Sequence, residues 1–130
     1  MKNKIEFLIE TDIILSHLQQ EDKSELSDLE IAMMNGDCFT SALTATELYF
    51  VKYSDEEKNA VDSVLYALKV LGIHPRYSLK ISEFFNKVAT PRDALVCSLA
   101  KFNKLPILTY DFERFKNSGI KIISPQELRG

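Results

Sequence analysis

Short apolar runs alternating with amphipathic stretches constrain this chain more than any other feature. Ile5-Glu6-Phe7-Leu8-Ile9 carries apolar residues on both faces, as a strand in the middle of a parallel sheet requires. Cys38-Phe39-Thr40-Ser41, Pro106-Ile107-Leu108-Thr109 and Lys121-Ile122-Ile123 read as further short strands. Between them the apolar spacing turns helical. Ile13, Ile14 and Leu18 mark a helix from Thr11. Leu26, Leu29, Ile31 and Met33 mark a second, stopped by Gly36. Thr44-Ala45-Thr46-Glu47 and Ser54-Asp55-Glu56-Glu57 have capping-box spacing. The helix after Ser54 is expected to run through Leu71 and stop at Gly72, with Ile73-His74 as a short strand. Leu79 to Val88 is expected to be helical throughout. Thr90-Pro91-Arg92-Asp93 supplies an N-cap, a first-position proline and a first-turn acid for a helix reaching Asn103. Asp111 is read as the cap of a short helix at Phe112–Phe115. Strands that alternate with helices in this way predict one α/β domain over residues 1–130, built on a parallel sheet.

The acids then fall where such a sheet binds ligands, beyond the carboxyl ends of its strands. Glu10 and Asp12 follow the first strand, Glu47 follows the second, Asp93 opens a helix, and Asp111 lies just past Thr109. Singly, Glu47 and Asp93 are explained as capping-box acids and Asp12 and Asp111 as N-caps, each worth roughly 0.3–1 kcal/mol. Together they raise one another's pKa and cost stability unless a cation joins them. All are hard oxygen donors, so Mg²⁺ or Mn²⁺ is the fitting class. Neither His17 nor His74 is expected to join the group.

Charge divides along the chain. Residues 1–68 hold 5 Lys/Arg against 14 Asp/Glu, and residues 69–130 hold 11 against 5. A polarised surface of this kind allows a phosphate partner to dock on the basic half despite a total of −3. Arg76, Lys80, Lys87, Arg92, Lys101, Lys104 and Arg114 are candidates for that rim, and Tyr110 for stacking on a base. No run approaches the roughly 18 apolar residues of a membrane span. The N-terminal run after Lys2 and Lys4 is broken by Glu6, Glu10 and Asp12, unlike a secretory signal. A cytoplasmic protein is expected, with Cys38 and Cys97 as buried thiols rather than a disulfide or zinc framework.

Four segments carry a family resemblance: Leu8-Ile9-Glu10-Thr11-Asp12-Ile13-Ile14-Leu15, Thr46-Glu47-Leu48, Arg92-Asp93-Ala94-Leu95-Val96, and Ile107-Leu108-Thr109-Tyr110-Asp111-Phe112. In order, they resemble the signature segments of PIN domains, in size nearest to the VapC-type toxins of toxin–antitoxin pairs. The resemblance implies a three-layer α/β/α sandwich and a metal-dependent ribonuclease using Mg²⁺ or Mn²⁺. It matches Asp93 to the central metal-binding aspartate, Glu47 and Asp111 to the acids of the second and fourth segments, and Thr109 to the hydroxyl that orients the cluster. Glu10, with Asp12 two residues on, stands where the family usually has Asp-Thr-Asn or Asp-Thr-Asp. The extra methylene moves the carboxylate by about 1.5 Å. That departure motivates an alternative, a weakened or inactive PIN-like module that binds RNA or protein without cleavage. Arg92, Lys101 and Arg114 are the expected RNA contacts. Implied partners are RNA, an antitoxin protein and a second copy of the chain; the apolar stretch Leu43–Leu71 offers surface for either protein. A phosphatase-like reading of Glu10-x-Asp12 is disfavoured, because its first acid is Glu and the late strand ends in Thr109-Tyr110-Asp111.

Overall fold

The computed structural model describes residues 5–51 and 53–129; Lys2 and Lys4 lie outside the described residues. Five parallel strands form the centre, in the order β3-β2-β1-β4-β5. They are β1 (Glu6–Ile9), β2 (Asp37–Ser41), β3 (Lys69–Leu71), β4 (Ile107–Leu108) and β5 (Ile122–Ile123). Strand β1 lies in the middle, with Phe7 opposite Cys38 on one side and Leu8 opposite Ile107 on the other. The pleat divides its residues between two cores. Phe7 and Ile9 pack with Ile13, Leu29, Leu48, Val61 and Leu65 from α1 (Thr11–Gln19), α2 (Asp28–Asn35), α3 (Ala42–Phe50) and α4 (Asp55–Ala67). Leu8 and Ile107 face the opposite way, onto Val96, Cys97, Leu99 and Ala100 of α6 (Pro91–Asn103), with Phe84 and Phe115. Helix α5 (Pro75–Leu79) and α7 (Phe112–Phe115) join that second layer, and α8 (Pro125–Arg129) packs on α2. The result is the expected three-layer α/β/α sandwich.

Local chemistry sets most helix starts. Ser27 and Ser54 form reciprocal capping boxes with Glu30 and Glu57, and Thr90 accepts from the Asp93 amide ahead of Pro91. Lys104 closes α6 in the left-handed conformation. At Gly36 the chain passes so near the Ile5 carbonyl that a side chain would collide with it. Three expectations shift. Helix α3 opens at Ala42, because Ser41, not Thr44, caps it by accepting from the Thr44 amide. Glu47 therefore lies in the second turn and is not a capping acid. Helix α4 ends at Ala67, and residues 69–71 pair with Phe39, Thr40 and Ser41 of β2. Edge-strand hydrogen bonding thus claims a segment whose apolar spacing alone continues the helix, and Ile73-His74 lies beyond the strand. Leu79–Val88 is not one helix: α5 ends at Leu79, a 3₁₀ turn covers Ile81–Phe84, and Asn86 has φ +64°.

Candidate active site

A cleft of about 500 Å³ opens at the carboxyl end of β1, lined in part by Glu10, Asp12, Glu47, Arg92, Asp93 and Arg114. Each arrives for a local reason. Glu10 follows the last residue of β1 and occupies the cap position of α1, but makes no capping bond. Its carboxylate is thereby free to turn across the sheet end, where it is 1% exposed. Thr90 caps α6, which fixes Arg92 and Asp93 in the first turn beside β1. Arg114 sits in α7, capped by Asp111.

What joins these acids is a guanidinium. Arg92 grips Glu10 with two bonds, Nη1 to Oε2 at 2.7 Å and Nη2 to Oε1 at 2.8 Å. The same side chain donates to Glu47 at 2.8 and 3.2 Å, to Asp93 at 3.0 Å and to the Thr11 hydroxyl at 3.1 Å. Arg114 closes the other side, with Nη2 at 2.5 Å from Asp93 Oδ1 and 3.2 Å from Glu10 Oε2, and Nε at 3.3 Å from Asp93 Oδ2. Planar donors facing carboxylates in pairs are the strong form of this contact. Thr11 in turn donates to Glu47 at 2.8 Å.

Protonation follows from this network. Burial acts to raise the Asp93 carboxyl, but the hydrogen bonds and charges of Arg114 and Arg92 outweigh it and hold the group below the usual carboxylate range. Glu47 behaves likewise: burial raises it, while bonds from Arg92 and Thr11 and the arginine charges bring it below its ordinary value. Arg92 loses solvent, yet its bonds to Glu10 and Glu47 raise its pKa and keep it charged. Arg114 is raised by its bond to Asp93.

The other predicted residues stand at the edge. Asp12 Oδ2 accepts from Thr109 Oγ1 at 2.7 Å and from the Tyr110 amide at 3.1 Å, while its buried Oδ1 has no hydrogen-bond partner among the described residues. Thr109 thus orients Asp12, and also accepts from the Asp111 amide. Asp111 itself points into its own helix, accepting from the Arg114 amide at 3.3 Å. Tyr110 ties its hydroxyl to Asp28 and Ser16. Lys101 lies outside the cleft in a surface pair with Glu83 at 2.7 Å. The charge pattern of the chain places Arg92 and Arg114 on a phosphate-binding rim; both side chains instead point into the acid group. The available signal is adjacency: Arg92 precedes Asp93, and Arg114 stands one turn from the cap Asp111.

Carboxylates at strand ends are the donor type of a hard divalent cation. The donor types here suit such an ion, and Asp12 Oδ1 is a buried oxygen with a bond to spare. The arrangement does not suit it. Glu10, Glu47 and Asp93 are all engaged by guanidinium groups, and no group of three or more His, Cys, Asp or Glu among the described residues is placed to hold a metal.

A parallel α/β/α sandwich with carboxylates gathered at the carboxyl end of its central strand places the chain among α/β proteins whose sites lie beyond the strand ends. Residues 7–120 match the PIN domain family, and the chain belongs to it. No curated protein matches the chain in sequence. Among solved structures, the fold is similar to a chain of the DNA-bound VapBC complex of Salmonella typhimurium. The TM-score is 0.76 at 17% identity, covering 93% of this chain and 98% of that one. It is similarly close to a chain of Rickettsia felis VapBC2 bound to a promoter fragment, with TM-score 0.73, 16% identity and coverage of 92% and 98%. VapBC-1 of nontypeable Haemophilus influenzae gives TM-score 0.72, 14% identity and coverage of 94% and 99%. None of the described helices is long and apolar enough to cross a membrane.

Proposed function

We propose that the chain is a ribonuclease of the VapC type, the toxin of a toxin–antitoxin pair, with Mg²⁺ or Mn²⁺ as cofactor. The observation that carries this reading is the convergence of Glu10, Glu47 and Asp93 on a single guanidinium, within 2.7–3.2 Å, from elements dispersed over more than eighty positions. Three acids brought from distant elements to one guanidinium at the strand ends suit a functional site better than a packing role. Since those oxygens are engaged, a divalent ion has to displace arginine to reach them. Partner binding is supported by exposed aromatic groups on α3 and α4: Phe50 is 89% and Tyr66 93% exposed. Surface of that kind fits an antitoxin segment or a second copy.

The test is incubation of the purified chain with structured RNA and Mg²⁺ or Mn²⁺, beside Asp93→Asn. Metal-dependent cleavage that disappears in the variant is the expected result. A second reading, a module that binds RNA or protein without cutting, is favoured by the saturation of the acids with arginine. Under it, RNA is bound, stays intact, and is held equally by the variant.

A further inference from the structure

The cleft already contains cations, and the two differ in how they are held. Arg92 makes polar contacts with Glu10, Thr11, Glu47 and Asp93 and is 21% exposed. Among the described residues the Arg114 side chain bridges only Asp93 and Glu10; it is 34% exposed and comes from a helix of four residues. Its guanidinium lies 4.9 Å from the centre of the Phe115 ring, a weak secondary hold. Charge sharpens the difference. Four carboxylates, Glu10, Asp12, Glu47 and Asp93, line the cleft against two guanidinium groups. Taking Arg114 away leaves four against one, a stronger pull on a dication, and Asp12 Oδ1 has no hydrogen-bond partner among the described residues.

We propose that Arg114 is a removable internal plug: the chain's own guanidinium closes the carboxylate cleft against divalent cations, while Arg92 stays as its fixed cation. The proposal rests on reading the cleft as the site of the activity above, but concerns its occupancy and not cleavage. In this resting arrangement the chain is expected to bind Mn²⁺ weakly, so that the cleavage proposed above needs the ion in excess, because the ion competes with a bidentate charge pair at Asp93.

Mn²⁺ titration followed by calorimetry or by the loss of the free-ion paramagnetic signal tests this on the full chain. Arg114→Gln is expected to bind Mn²⁺ at least tenfold more tightly than the unmodified chain. Lys58→Gln removes the same charge from the exposed Lys58–Asp62 pair on α4 and is expected to leave Mn²⁺ affinity unchanged. Equal affinity of Arg114→Gln and the unmodified chain, whether both bind or neither does, overturns the proposal, as does an equal gain in Lys58→Gln. Should Arg114→Gln fail to fold, Arg114→Met, which keeps the apolar stem without the charge, is titrated with Mn²⁺ in the same way: tighter binding than the unmodified chain supports the plug, and equal affinity overturns it. RNA left intact by a variant that binds Mn²⁺ tightly would refute the ribonuclease reading and leave the plug standing.

Discussion

Replacing Arg92 with methionine keeps the apolar stem of the side chain and removes the charge that gathers three carboxylates. Glu10 is 1% exposed and loses both of its short bonds to Arg92. Removing one partner of a buried ion pair costs about 3–5 kcal/mol, because the remaining charge has no solvent to return to. Two features reduce that here. Arg114 stays 3.2 Å from Glu10, and Glu47, with its side chain 38% exposed, can hydrate in place. The expected loss is about 2–3 kcal/mol, or roughly 6–15 °C in Tm for a domain of this length. Urea unfolding at pH 7, followed by circular dichroism, measures it. Arg92→Met combined with Glu10→Gln is expected to recover part of the loss, since a neutral amide is cheaper to bury than an unpaired carboxylate. A single variant within about 0.5 kcal/mol of the unmodified chain would refute the claim that Arg92 neutralises a buried acid, since that is the range of ordinary surface changes.

Further outcomes follow from the same geometry. Asp93 and Glu47 have folded-state pKa values below their ordinary ones, so their contribution is complete above about pH 4–5 and is lost as pH falls through the depressed values; the stability gap between the unmodified chain and Arg92→Met therefore narrows below about pH 4 in acid-titrated urea melts, and a gap that widens there contradicts the assignment. Gly36→Ala drives a methyl group into the Ile5 carbonyl and is expected to cost about 1–3 kcal/mol, read from the same melts. The Cys97 thiol, pushed up to about 12 chiefly by burial, should resist iodoacetamide at pH 8 in the folded chain and react once urea unfolds it; rapid labelling of the native protein would place it near solvent instead.

Elements with a strong local signal are legible in the sequence. Ser54 with Glu57, and Thr90 with Pro91, state their helix starts in a few consecutive residues, and Ile5–Ile9 carries the two-sided apolar pattern of a central strand. Two cores packed on opposite faces of β1 follow from that pattern once the helices are assigned. Elements whose identity depends on a distant neighbour are not legible in this way: residues 69–71 form a strand only because β2 offers an open edge, and Ser41 caps α3 only because β2 ends there. The candidate site divides along the same line. Which acids stand at the ends of strands and helices is written in the sequence, because backbone periodicity and capping chemistry are local. Which of them share a cation is settled by tertiary packing: Glu10, Glu47 and Asp93 converge on Arg92, while Asp12 turns to Thr109 and Asp111 to its own helix. A charged side chain leaving the water settles on whichever opposite charge the fold brings within about 3 Å, and no spacing along the chain encodes that distance.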